Sequence, residues 1–219
     1  MTTKFYFPSY GFSAIKVNYD PYWDDTHRSI QRVDLVTVPI HSPMVEITTY
    51  DRCTSNPDGR NILVRQYISA PLAQQLIAGV FEGHFQTTGA GFDTQFFSQV
   101  IVKVVSNDGS IVRGILYDGD EEANPHMISL PDTWVNTLTN RFFPRGSVYP
   151  ILLTPVQTQL NDRLVIELGY RSLRSSFAIH QASMRFGDNG IGDLPSDQVN
   201  TSNNLNPWCS FSNSITVLQ

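Results

Sequence analysis

The strongest constraint on this chain is a side-chain period of two, repeated along most of its length with almost no competing 3.6-residue period. The clearest case is Asp162-Arg163-Leu164-Val165-Ile166-Glu167-Leu168-Gly169-Tyr170-Arg171. Alternate residues of a strand point to opposite faces, so Leu164, Ile166, Leu168 and Tyr170 share one face, and Arg163, Val165, Glu167 and Arg171 the other. Phe96–Val105 is mostly apolar on both faces until Lys103, as expected of a strand inside a sandwich. It runs into Ser106-Asn107-Asp108-Gly109 and then Ser110–Tyr117. Asn and Asp tolerate positive φ and Gly favours it, which predicts a hairpin there.

Further strands are expected at 12–17, 32–38, 45–50, 62–68, 77–85, 177–186 and 211–218. In 77–85 the odd positions are Ile77, Gly79, Phe81, Gly83 and Phe85, and glycines alternating with large side chains suggest a bulge or a close backbone approach. Two stretches invite a helix. Ser69–Leu76 has a capping serine and room for one turn. Asp132–Phe143 spaces Trp134, Leu138 and Phe142 by four, but its Thr and Asn residues weaken it. Neither makes a helical domain. The expected fold is therefore all-β, an antiparallel β-sandwich (jelly-roll-like) with an irregular N-terminal extension. Residues 1–66 are expected to form an arm with additional strands, and 67–219 the sandwich core, which would fold without residues 1–30.

Composition narrows the function. Charged residues are 16 %, the formal charge is −5, and 63 of the 219 residues are Ser, Thr, Asn or Gln. Such a surface is polar but nearly uncharged, unlike one built to neutralise nucleic-acid phosphates. No apolar run approaches the ~20 residues of a membrane helix. The first residues lack the apolar core of a signal peptide. A soluble protein made in a cytoplasm, with neither nucleic acid nor membrane as partner, is the expectation.

The motifs of chemistry are missing. His27, His41, His84, His126 and His180 stand singly, with no His-x-x-x-His spacing, no nucleophile elbow and no Walker loop. Hence no catalytic residue, cofactor or metal ligand is assigned, and the chain is expected not to be an enzyme. The acidic stretches Asp118–Glu122 and Asp188–Asp193 carry the oxygen donors calcium uses, but neither fits the twelve-residue Ca loop, and solvated turns are expected. Cys53 and Cys209 are too few for a disulfide framework; they stand as isolated thiols or as one possible disulfide, within the chain or between subunits. Tyr19, Tyr22 and Trp23, in a Pro/Asp-rich run outside any alternation, are candidate partner-binding residues together with Phe5 and Tyr6, because aromatics are enriched in interface cores.

Several segments in order carry a family resemblance: Gln66–Leu72; Val104–Gly109 with Val112–Leu116; Asp162–Arg171; Gly187-Asp188; Asp193-Leu194-Pro195; and Pro207-Trp208-Cys209-Ser210-Phe211-Ser212. Over roughly residues 62–217 the chain resembles β-sandwich structural proteins of tailed bacteriophages and prophages. That resemblance implies a virion component without catalysis, most directly a capsid decoration or cement protein. Its partners would be the major capsid protein and other copies of itself, as a homo-oligomer. A tail or fibre component binding a host surface glycan is the second reading, and a polysaccharide-cleaving enzyme the third.

Overall fold

Alternation of this kind can be satisfied only by sheets, each hiding one face. The computed structural model describes residues 2–26, 31–51, 60–90, 94–118, 139–143, 151–174, 180–195 and 204–218. Among them there are fifteen strands and no helix: β1 Thr3–Tyr6, β2 Asp25–Thr26, β3 Arg32–Leu35, β4 Val45–Asp51, β5 Arg60–Ser69, β6 Leu76–Ala90, β7 Thr94–Val105, β8 Val112–Tyr117, β9 Thr139–Phe143, β10 Ile151–Gln157, β11 Arg163–Arg174, β12 His180–Phe186, β13 Gly192–Asp193, β14 Leu205–Asn206 and β15 Trp208–Phe211. The all-β expectation holds.

One sheet runs β1-β15-β6-β12-β4, with β9 and β10 on the other side of the long β6; the second runs β2-β5-β11-β7-β8, with β3 also on β5. The principal neighbours are antiparallel, but β2 and β3 run parallel to β5, as do β13 and β14 to each other. The sheets pack face to face. Phe5, Phe81, Phe85, Met184, Phe186, Cys209 and Phe211 come from the first, and Val64, Phe96, Val100, Val102, Leu164, Ile166, Leu168 and Tyr170 from the second, into one apolar core. The face that alternation gives to Leu164, Ile166, Leu168 and Tyr170 is the one turned into this core. In β5 a register shift opposite Leu168/Gly169 moves the core positions from Ile62 and Val64 to Tyr67. An inserted residue changes which parity points inward.

The hairpin at 106–109 forms as expected. Gly109 N–H donates to Ser106 O at 2.8 Å, and Gly109 sits at φ +77°. Gly79 adopts φ +91°, and a β-carbon there would strike Ser212 Oγ. The paired β10 shifts register between Leu153 and Val156, facing Gly79 and Ile77. The glycine alternation in β6 thus marks a true irregularity.

Other expectations are corrected. Residues 12–17 make one bridge, Phe12 to Val33, and no strand. The helical turn at 69–76 does not form, because its backbone is committed to distant partners. Leu72 N–H donates to Asp162 O, Asn161 N–H to Leu72 O, and Leu218 N–H to Pro71 O. The weak helix at 132–143 is a strand over Thr139–Phe143, and the rest lies outside the described residues. The last strand ends at Phe211 and only Val217 pairs again, with Leu72. The additional strands expected of residues 1–66 are present, but as integral parts of both sheets. The N-terminal region supplies β1 and β4 to one sheet and β2, β3 and most of β5 to the other, and the division at residue 66 cuts through β5. Phe5, Phe7, Val17 and Trp23 are buried, so a core lacking residues 1–30 would lose part of its own interior.

Candidate interaction surfaces and the buried braces behind them

The second sheet has an apolar outer face as well as an apolar inner one, and something must cover it. Residues 15–23 do. Val17 packs on Ile68, Val105 and Val165, with Ile15 at the margin. Trp23 packs on Leu63 and Ile101, flanked by Tyr19 and Tyr22. Between these two patches lies a buried ion pair, Lys103 Nζ to Glu167 Oε1 at 2.8 Å, with both side chains essentially inaccessible. Glu167 Oε1 also accepts from Gln66 Nε2 at 2.8 Å. Glu167 Oε2 accepts from Trp23 Nε1 at 2.6 Å and from the Asp20 backbone N–H at 3.2 Å. Lys103 Nζ donates to Asn18 O at 3.0 Å.

The cover thus supplies three of the bonds that let two opposite charges sit without water. A buried charge is tolerated only when its partners are all in place. The arrangement is a fastening: it offers no accessible atom for chemistry, and it fixes the N-terminal segment on the sheet.

A second grouping lies on the outer face of the first sheet, where β1, β15 and β6 are neighbours. Asp193 Oδ2 accepts from Lys4 Nζ at 2.8 Å and from Tyr6 Oη at 3.1 Å. Lys4 Nζ also stands 4.0 Å from the Trp208 ring centroid, and Trp208 stacks on His84 at 4.2 Å. The Trp208 indole donates to Leu194 O at 2.7 Å. Burial, and then the nearby Lys4 charge, lower the His84 pKa to about 4. Burial and the Asp193 carboxylate push the Tyr6 phenol up to about 12. These values keep His84 neutral and Tyr6 protonated across ordinary pH.

The five partner-binding candidates therefore fall into two places. Tyr19, Tyr22 and Trp23 are brought together over the second sheet, while Phe5 and Tyr6 lie on the first. Two of them are corrected outright as contact residues. Phe5 is fully buried, its ring 5.8 Å from that of Phe211, and Trp23 is buried with its indole held by Glu167. A large aromatic that completes an internal core has no face left for a partner. The other three are half-buried and already engaged: Tyr22 Oη donates to Gln99 Oε1 at 3.1 Å, and the Arg32 guanidinium lies over Tyr19 at 4.6 Å.

Exposed apolar area is found elsewhere. Tyr10, Phe12, Val38 and Ile40 are exposed, Phe12 at 63 % and Val38 at 70 %, and a β-carbon at Gly11 would lie 3.7 Å from Ile40. Gly11–Ser13 run beside β3 through Asp34 N–H to Gly11 O and Ser13 N–H to Arg32 O. This exposed set leaves no signal in the sequence because its residues lie on two irregular segments brought together only in three dimensions. The pairing of Glu167 with Lys103 left no mark in the sequence either, since alternation places Glu167 opposite the Leu164 face without saying what lies over it. The apolar second face of 96–105 was the available signal that a cover exists.

The solvated turn expected at 188–193 is corrected as well. Asp188 is buried and spends its carboxylate on Ile40 N–H at 2.6 Å and on Ser42 N–H and Oγ at 2.5 Å. Asp193 is held by Lys4. The stretch 118–122 lies outside the described residues except for Asp118. Cys209 is a fully buried thiol set opposite Phe5 and Gly83, without a covalent partner among the described residues. Burial raises its pKa well above the ordinary thiol value, which makes it unreactive. Cys53 lies outside the described residues. Among the described residues, no group of three His, Cys, Asp or Glu side chains could hold a metal ion.

No protein-family model matches the chain, and no curated protein does. Among solved structures it is similar to an α-amino acid ester hydrolase, with a TM-score of 0.35 at 12 % identity, covering 99 % of this chain and 36 % of that one. A CocE/NonD family hydrolase from Staphylococcus aureus gives a TM-score of 0.31 at 10 % identity, covering 100 % of this chain and 36 % of that one. The chain thus spans about a third of the length of either, and the scores carry no argument about fold or activity.

Proposed function

We propose that this chain is a non-enzymatic virion structural protein, a capsid decoration or cement protein that contacts the major capsid protein and other copies of itself. It would be made in the host cytoplasm and act at the capsid surface. The observation that carries the reading, beside the resemblance over residues 62–217, is how the buried carboxylates are used. Glu167, Asp188 and Asp162 each tie together segments far apart in sequence: Glu167 holds residues 20 and 23, Asp188 holds 40 and 42, and Asp162 holds Arg113 at 3.2 Å. Polar groups spent on cross-links suit a part that bears load. The exposed Tyr10, Phe12, Val38 and Ile40 supply an apolar contact area of the kind found at interface cores. Many copies on a shell would add up modest single contacts.

Quantitative mass spectrometry of purified particles tests the reading. Hundreds of copies per particle are expected; a dozen or fewer would move the protein to the tail, and absence from particles would end the virion reading.

A further inference from the structure

A sheet edge exposes unpaired N–H and C=O groups, and proteins blunt such edges with proline, bulges, short strands or covering chain. Most edges described here are blunted. The hairpin strand β8 shifts register twice against β7. The edge strand β10 carries Pro155 and its own register shift. Gly11–Ser13 run beside β3, and the four-residue β1 donates from Tyr6 N–H to Val36 O at 2.8 Å.

Two described edges lack such a device, the five-residue β9 and the seven-residue β4, and the longer of these is β4. It pairs with β12 through seven consecutive positions without a shift, from Val45 opposite Phe186 to Asp51 opposite His180, and no other described strand lies on its far side. Its sequence, Val-Glu-Ile-Thr-Thr-Tyr-Asp, holds no proline or glycine and is rich in β-branched residues. Val45 and Tyr50 are exposed, Tyr50 at 56 %.

We propose that the β4 edge pairs antiparallel with β4 of a second copy of this chain, joining two sheets into one across a two-fold axis at Thr48. The register follows from the strand itself. Only an axis at Thr48 uses all seven residues of both copies. It sets Thr48 opposite Thr48, Ile47 opposite Thr49 and Glu46 opposite Tyr50. Residues opposite one another then share a face, so the core-facing Ile47 and Thr49 of both copies stay on one side. Glu46 meets a tyrosine and not its own copy, and within its own chain it sits opposite Arg185 of β12. Thr–Thr pairs are favourable across strands, and like charges placed directly opposite are not. A closed two-fold contact of this kind is self-complementary and stops at two copies.

The pairing gives the self-contact of the proposed function its surface, and it rests on that reading for its place in a particle. The experiment uses the isolated full-length chain, so its failure would leave the particle measurement above untouched. Sedimentation equilibrium should show a monomer–dimer equilibrium. Thr48→Lys and Thr48→Glu, each opposing like charges at the axis, should each weaken dimerisation at least tenfold while melting as a folded protein. Mixing the two variants should restore a dimer. In a Cys53→Ser background, Thr48→Cys should cross-link under mild oxidation and Tyr50→Cys should not. A wild-type chain that stays monomeric at high micromolar concentration would overturn the proposal. So would dimers unchanged by both charge variants, or equal cross-linking at positions 48 and 50.

Discussion

At the scale of single residues, the informative groups are polar ones that the fold has taken out of water. Glu167 collects Lys103, Gln66, Trp23 and the Asp20 amide around one carboxylate. Removing one member of such a pair strands the other charge, at a cost of about 3–5 kcal/mol, while replacing both with apolar groups costs far less. Glu167→Ala is therefore expected to lower stability by about 3–5 kcal/mol in urea unfolding, and Lys103→Met with Glu167→Leu to recover much of that loss. A double variant as unstable as the two singles together would count against a coupled brace. His84 makes a different forecast. Its folded pKa of about 4 lies below the ordinary 6.5, so on acidification the unfolded chain takes up the proton first. The stabilisation is whole above about pH 6.5 and is lost as pH falls towards 4, by up to about 3 kcal/mol. Melting temperatures of the wild type and of His84→Phe, followed from pH 7 to 4, should converge or cross in that window.

At the scale of elements, the close approach of β5, β11 and the covering segment can be tested at one position. A β-carbon on Gly169 would meet Ile62 O and lie 2.7 Å from the Trp23 ring. Gly169→Ala is thus expected to cost about 1–3 kcal/mol, as overpacking does. A wild-type denaturation midpoint in that variant would mean that Trp23 does not rest on β11. The same elements show what a sequence discloses. Strands such as β5, β7, β11 and the 106–109 turn were legible because alternation and turn chemistry are local. The run 15–23 was not, because its conformation is set by what it covers, and a covering segment has no period. Phe12 illustrates the limit: it looks like the start of a strand, yet its backbone makes a single bridge and its ring is exposed. The buried role of Glu167 was hidden for the same reason, since its place in the alternation marks a face but not what lies over it. Ser69–Leu76 failed in the opposite direction, with a sound local cap overruled by hydrogen bonds to residues 161, 162 and 218.

At the scale of the whole molecule, the N-terminal region and the C-terminal strands are one construction. β1 pairs with β15 from Thr3 opposite Phe211 to Tyr6 opposite Trp208, and Ile215 N–H donates to Thr3 Oγ1 at 2.7 Å. Deleting residues 1–30 would remove Phe5, Phe7, Val17 and Trp23 from buried sites, each worth roughly 1.5–3 kcal/mol. That sum rivals the ~5–15 kcal/mol by which domains are stable at all. The truncated chain is expected to show no cooperative thermal transition by circular dichroism, and a sharp transition would restore the idea of a detachable arm. The adjacency of Thr3 and Ile215 has a practical side too. A covalent clip between positions 3 and 215 would staple β1 to the run that follows β15.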